Sequence, residues 1–439
     1  MTGTTAGLRR SAEYQFRSFR AGRAGDRANA ETTAWSQAAA IGFLEPVPTA
    51  EHILRTAEVY EADDRVLTGA YAVDRPALAW ETARPVATYA TFTKPLNVGG
   101  GRSLDAHLIA TVTVRANHRR RGLLRELITA DLLQAREDGR AIAALSSMEA
   151  TIYGRFGFGA ATFSRRVDVD TSDRFCLKHS PAGSVELTDP STLLDLAPEV
   201  FDRFHAQTPG SLQRPASYPS KIAGIWAEDK PESDDGIRAA LHYDPAGNID
   251  GYVSYGFLGW EIEPRTIMVR DLVWTSQDAY FGLWDYLASV DLVTRVTFGQ
   301  ASMSDSLPWA MVDRRGFKTV GEEDGLWLRV LDPVAALEAR SYEADGELRI
   351  ALSDSLGIAD GVYTLSVRSG EATVTAHKAK DAAFDVALDV ATLGSLFLGG
   401  VRVSALARTG QIVSASAAAI DLLDVLLAHK EQPYCITHF

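Results

Sequence analysis

Two cysteines in 439 residues, Cys176 and Cys435, leave this chain without a disulfide framework and without the paired spacings that hold a metal. A basic excess is missing too. Against 44 basic residues stand 57 acidic ones, and the net charge of −13 repels a phosphate backbone, so no nucleic-acid partner is expected. No stretch approaches about 18 uninterrupted apolar residues, so no membrane span is expected. The arginine-bearing start (Arg9, Arg10, Arg17, Arg20, Arg23) has no apolar stretch behind it and does not read as a secretory signal. His-Glu-x-x-His, Gly-x-Ser-x-Gly and P-loop patterns are absent. What these absences leave is an ordinary globular protein with 46% hydrophobic residues, long enough for two to four domains and expected to be cytoplasmic.

What is present is concentrated in one run, Val112-Thr113-Val114-Arg115-Ala116-Asn117-His118-Arg119-Arg120-Arg121-Gly122-Leu123-Leu124-Arg125. A β-branched strand, Leu108 to Val114, enters a basic glycine turn. A helix follows, with Leu124, Ile128, Leu132 and Ala135 on one face. Unpaired amides and the dipole at a helix N-terminus point at an anion, and the arginines add charge-assisted contacts. Gly122 lets the backbone approach a phosphate where a side chain would collide. Arg-Arg-Arg-Gly alone occurs by chance; the strand before it and the helix after it give it weight. The spacing Arg119-x-x-Gly122-x-Leu124 resembles the acetyl-CoA pyrophosphate loop of the GNAT acyltransferases.

Four segments follow from the pattern. Residues 1–30 form a polar N-terminal segment, expected to be partly disordered. Residues 31–175 read as helices near 31–40 and 50–59, strands at 65–73, 87–94 and 107–114, and the Gly99-Gly100-Gly101 loop between the last two. The basic-turn helix and strands at 141–147 and 161–169 complete this unit. Residues 176–331 repeat the plan, with strands at 237–243, 251–258, 266–274 and 295–301, a helix at 278–290 and a last strand at 325–331. Yet Thr275-Ser276-Gln277-Asp278 stands where the basic turn should be. Residues 332–439 alternate in period two through Leu348-Ile350-Leu352, Tyr363-Leu365-Val367 and Phe384-Val386-Leu388, which predicts an antiparallel sheet. Helices follow at 390–398 and 414–428. This last block resembles a sterol-carrier-protein-like domain. The fold class is therefore α/β (α+β): two GNAT-like mixed-sheet domains, the second without a cofactor loop, and an α+β carrier-like domain.

The basic-turn motif, the run Ile152-Tyr153-Gly154-Arg155-Phe156-Gly157-Phe158-Gly159 and this domain order together resemble the Eis (enhanced intracellular survival) family of N-acetyltransferases. The resemblance covers nearly the whole length beyond residue 30. It implies acetyl-CoA as cosubstrate, with no metal. The backbone of Val112, Thr113 and Val114 would pair with the pantetheine arm. Arg120, Arg121, Gly122, Leu123, Leu124 and Arg125, with Arg119 as an extra contact, would hold the pyrophosphate, and the Met148-Glu149 turn completes the cofactor set. Tyr153 takes the place of the general acid; its bland reading is an aromatic packed in a turn. Phe439 takes the place of the terminal residue whose α-carboxylate accepts the amine proton, although a terminal residue is ordinarily frayed. The apolar tail Tyr434-Cys435-Ile436-Thr437-His438-Phe439 favours burial.

The sequence departs from that family in several places. Ala116 stands where relatives carry proline, and Ser146 where some carry histidine. His438 stands where an acidic residue would help to hold a polyamine. Glu45, Trp35 and Trp226 are candidates to line an amine pocket, though the reading each favours is surface or core, and His118 reads as structural. The implied acceptors are aminoglycoside-like compounds, other cationic amines or lysine side chains, and the implied assembly is a homo-oligomer, a hexamer. Two other classes compete: a lipid or hydrophobic-ligand binding protein working through the carrier-like domain, and a scaffold that binds no CoA. The intact basic turn speaks for the enzyme.

Overall fold

The computed structural model describes residues 13–80, 83–147, 149–230, 232–377 and 383–439. A seven-stranded sheet is ordered Tyr14–Arg20, Val66–Ala72, Ala87–Gly99, Arg102–Val114, Ile142–Ser146, Leu326–Val330, Gly159–Ala160. Gly99, Gly100 and Gly101 turn its long central hairpin with φ of 94°, 60° and 72°, angles that cost a glycine little. Helices Ala30–Gly42 and Ala50–Ala62 are capped by the side chains of Asn29 and Thr49. They cover one face, where Trp35 and Tyr60 pack with Leu67 and Ala90. Helix Leu123–Glu137 covers the other face. Its Leu123, Leu127, Ile128 and Leu132 are buried with Tyr89, Ile109, Ala143 and Leu145.

The second seven-stranded sheet is ordered Ser184–Thr188, Ile237–Tyr243, Ile249–Phe257, Thr266–Trp274, Arg295–Ser302, Phe163–Asp170, Phe317–Asp324. Helix Gln277–Ala288 packs on one face and helix Leu193–Gln207 on the other. Here the fold departs from the sequence expectation. Phe163–Asp170, expected to close the first unit, lies in the second sheet, and Leu326–Val330, expected to end the second, pairs with Ile142–Ser146 in the first. Both strands alternate suitably for either sheet, so local pattern cannot choose between them. Tertiary contacts do. Leu326 N–H donates to Thr162 Oγ1 at 2.8 Å and Gly325 N–H to Thr162 O at 2.9 Å where the two segments meet. The buried Arg329 then pairs with Asp354 at 2.7 Å.

Part of the N-terminal segment belongs to the first sheet. Residues 1–12 lie outside the described set, but Tyr14–Arg20 is an edge strand paired with Val66–Ala72. Tyr14 is buried, Phe16 packs on the same core, and the Arg17 guanidinium lies over Tyr71, 4.7 Å from its centroid. The arginines there are the solvent side of a strand.

In the C-terminal block the sheet order is Glu371–His377, Gly361–Arg368, Gly346–Ser353, Val386–Asp389, Ile412–Ser414. It is mixed, not purely antiparallel, because Val386–Asp389 runs parallel to Gly346–Ser353. Glu371–His377, which precedes it in sequence, lies at the far edge of the sheet, so no tight hairpin joins the parallel pair. Helices Pro333–Ala339, Val390–Leu396, Val403–Arg408 and Ala417–Leu427 accompany it. Its Leu348, Ile350, Leu393, Phe397 and Leu426 share one continuous core with Phe92, Leu108 and Ala144 of the first sheet.

Candidate active site

Strand Arg102–Val114 pairs with Ala87–Gly99 along its length but with Ile142–Ser146 only from Ala106 to Leu108. Beyond Leu108 and its partner Ala144 the two parallel strands part, while Ile142–Ser146 stays paired along its whole length with Leu326–Val330 on its other side. The inner edge of Ile109–Val114 is thus left open to a ligand. A bulge at Thr111, with φ of 51°, re-aims the strand there. Val112 and Val114 pack toward helix Leu123–Glu137, whereas Thr113 is held on the opposite face by Thr88 at 2.7 Å.

The basic turn stands at the mouth of this opening. Arg120 (φ 63°) and Gly122 (φ 81°) are both left-handed, and Gly122 is the N-cap of helix Leu123–Glu137. Gly122 offers no side chain to cap that helix, so its first amides remain for an anion. A β-carbon on Gly122 would meet nothing within 4 Å; the glycine answers to the backbone angle and leaves the approach clear. Arg119, Arg120 and Arg125 are exposed, while Arg121 pairs with Glu13 at 3.3 Å. His118 has the structural partner its sequence context lacked, since its Nδ1 lies 2.9 Å from the Tyr14 hydroxyl.

Tyr153 ends the short helix Ala150–Tyr153 and packs on the same core face as Val112, Val114 and Leu124, with its ring centroid 6.3 Å from that of Phe158. Burial first, then the charge of Glu149, push its phenol above its ordinary pKa, which keeps it protonated at neutral pH. Glu149 is the exposed residue before that helix, and Met148 lies outside the described residues.

Phe439 lies on the other face. Its ring meets Phe92 edge-on at 5.7 Å, and Phe92 is the cross-strand partner of Leu108, the last residue before the strands part. Tyr153 and Phe439 therefore flank the parting point from opposite sides of the sheet. Nothing in their sequence separation signals this.

On the Phe439 face a cavity of about 460 Å³ is lined by Trp35, Glu45, Tyr60, Thr111, Glu228 and Glu232, among others. Trp35 is core, its indole N–H donating to Thr68 O at 2.9 Å, yet it also lines this space. Trp226 donates to His52 Nδ1 at 2.9 Å and lines the adjoining hollow that His438 borders. Tyr60 donates to Glu228 at 3.1 Å, and the buried Arg65 is stacked between Tyr60 and Phe92 at 4.2 and 4.4 Å. Glu228 and Glu232 come from the second unit, so sequence reasoning about the first could not have found them.

Comparison with known proteins agrees with this geometry. Models of acetyltransferase (GNAT) domains match residues 29–161 and 210–330, and a sterol carrier protein domain model matches 333–436. An uncharacterized N-acetyltransferase of Streptomyces avermitilis is 33% identical over 416 residues, 93% of this chain and 96% of its own. The N-acetyltransferase Eis of Mycobacterium tuberculosis is 33% identical over 343 residues, covering 76% of this chain and 80% of its own. The chain belongs to the Eis family of N-acetyltransferases. Eis1 of Mycobacterium abscessus superposes with a TM-score of 0.73 at 28% identity, covering 85% of this chain and 90% of that one. A GCN5-related N-acetyltransferase of Anabaena variabilis shares the fold, with a TM-score of 0.78 at 19% identity over 97% of this chain and all of that one. As an Eis-family protein the chain is an acetyltransferase, and GNAT domains use acetyl-CoA. No helix among the described residues is long and apolar enough to cross a membrane.

Proposed function

We propose that this enzyme moves an acetyl group from acetyl-CoA, held by the first unit, to an amine of a cationic acceptor. Aminoglycoside-like compounds, other small amines and lysine side chains are the candidate classes. The observation that carries the reading is the uncapped, arginine-bearing helix start at the mouth of two parting strands, backed by an acidic, aromatic cavity on the far face. In this reading Arg119, Arg120, Arg121, Arg125 and the amides of Gly122, Leu123 and Leu124 take the pyrophosphate, and the open edge of Val112–Val114 takes the pantetheine arm. Glu149 borders the same cofactor path.

The chemistry then divides between the two faces. The amine nitrogen attacks the thioester carbonyl carbon, a C–N bond forms and the C–S bond breaks. The leaving thiolate takes its proton from the Tyr153 hydroxyl. The nitrogen, strongly acidic once bonded to carbon, gives its proton to the α-carboxylate of Phe439. That carboxylate, with a reference pKa of about 3.5, also draws the ammonium in at neutral pH, alongside Glu45, Glu228 and Glu232. The ammonium sheds one proton to solvent before attack, which frees the lone pair that forms the C–N bond, and the second proton is the one the carboxylate accepts. A hexameric assembly and a cytoplasmic setting belong to the same proposal. Lipid carriage is the weaker reading, because the apolar side chains of the carrier-like block are spent in the core they share with the first sheet.

Calorimetric titration with acetyl-CoA, followed by an acceptor screen across aminoglycosides, diamines and lysine peptides, tests the reading. Saturable binding with transfer to at least one cationic amine is expected. Absence of acetyl-CoA binding by the folded protein would overturn it.

A further inference from the structure

The second unit repeats the parting of strands but not its use. Thr266–Trp274 and Arg295–Ser302 pair in parallel from Thr266 and Arg295 to Val269 and Phe298, and then separate. The chain's own tail lies against that separation. Tyr434 packs beside Trp274 and Phe204, at 6.1 and 6.2 Å between centroids, and its hydroxyl donates to the Gln300 carbonyl. The Gln300 amide donates to Ile436 O at 3.3 Å. Tyr218 donates to the same carbonyl at 3.1 Å and accepts the His438 N–H at 2.8 Å, so one hydroxyl grips the tail on both sides of Thr437. Thr437 donates to Leu212 O at 2.6 Å, and Tyr434, Ile436 and Thr437 are at most 4% exposed.

The anchor behind the grip is rigid. The Arg214 guanidinium lies 4.4 Å from the Tyr218 ring centroid and is held by Asp271 through two bonds of 2.6 and 2.9 Å. Chain ends fray unless tied down. A group that must act at one place has to be held to within about half an ångström. These five bonds to the last six residues do both.

We infer that the parted strands of the second unit form a docking groove for the segment Pro433–Phe439, with Tyr218 and Gln300 as the positioning residues that deliver Phe439 to Phe92. The inference rests on the Phe439 reading only for its kinetic consequence; the docking stands by itself. The degenerate unit thus holds a peptide where its counterpart would hold a pantetheine arm.

Carboxypeptidase release of Phe439 from the full chain reads the docking without any catalysis. Release is expected at least ten-fold faster in Tyr218→Phe and in Gln300→Ala than in the parent, with unchanged melting temperature; equal rates would overturn the groove. The kinetic arm compares Tyr218→Phe in the parent and in a chain extended by one glycine after Phe439. A ten-fold or greater loss of kcat is expected in the parent, with acetyl-CoA affinity within two-fold, and no further loss in the extended chain. An equal loss in both backgrounds would overturn the positioning role. Faster release together with full turnover of the extended chain would uphold the groove and remove the carboxylate from the mechanism.

Discussion

Ser276 Oγ accepts the N–H of Ala279 at 3.0 Å and so closes the N-terminus of helix Gln277–Ala288. In the first unit, Gly122 holds the matching position of helix Leu123–Glu137 and offers no side chain to do the same. The pair explains why two copies of one plan divide their work. A serine cap satisfies an orphan amide internally and removes it from any ligand, while a glycine in the left-handed region leaves the amides bare. Three arginines before Gly122 supply the charge, and none stands before Ser276.

The loop is expected to fail in two distinguishable ways. Gly122→Val forces a β-branched residue to a φ of 81° and should abolish acetyl-CoA binding by deforming the cradle. Arg120→Ala keeps the backbone and should weaken binding by about 1.5–3 kcal/mol, the scale of a charge-assisted bond. Calorimetric titration measures both. Parental affinity in both variants would move the cofactor elsewhere.

Tyr153→Phe separates chemistry from binding. The ring still fills its place against Phe158, so acetyl-CoA affinity should be preserved while turnover falls by roughly 10²-fold. Turnover within a few-fold of the parent would reduce Tyr153 to packing.

How far these residues were readable in advance depended on whether their context was local. The Gly122 turn was legible because strand, turn and helix are contiguous. Helix 31–40 and strand 237–243 were legible because each is one contiguous run, alanine-rich in the helix and apolar with little interruption in the strand. The exchange of Phe163–Asp170 with Leu326–Val330 was not, since two similar sheets accept the same alternation and only tertiary contacts such as that at Thr162 choose. Tyr218 and Gln300 were invisible for another reason. Each lies in an ordinary stretch of the second unit, and its partner stands more than a hundred residues away at the tail.

Acid should loosen the join between the first sheet and the carrier-like block. The buried Arg340 donates to Phe397 O, Leu427 O and His429 Nε2, at 2.9, 3.0 and 3.1 Å. Burial first, then the Arg340 charge, hold the His429 imidazole down to about 4. An unfolded histidine titrates near 6.5. Below that pH the unfolded chain binds a proton the native one refuses, so stability falls as pH drops from about 6.5 to 4, by on the order of 2 kcal/mol. His429→Gln keeps an acceptor for Arg340 without titrating. Thermal melts across this range should show a shallower pH slope for the variant; identical slopes would clear His429 of the effect.

The terminus carries the riskiest expectation. Phe439 meets Phe92 beside Leu108 and Ala144, the last pair before the strands part, and a carboxylate there belongs to the last residue only while nothing follows it in the chain. Adding one glycine moves the carboxylate by about 3.5 Å and puts a neutral amide, which takes up no proton at pH 7, in its place. The basic turn belongs to another part of the chain, so acetyl-CoA affinity should be unchanged. Turnover should fall by roughly 10²-fold, the scale of losing a positioned proton acceptor. Deleting Phe439 removes both the charge and the ring that anchors it, and should cost at least as much. The comparison is a kinetic one between proteins of matched acetyl-CoA affinity. Undiminished turnover in the extended chain would make the terminus a bystander and send the search for the base to the carboxylates around Thr111, with Glu228 first among them.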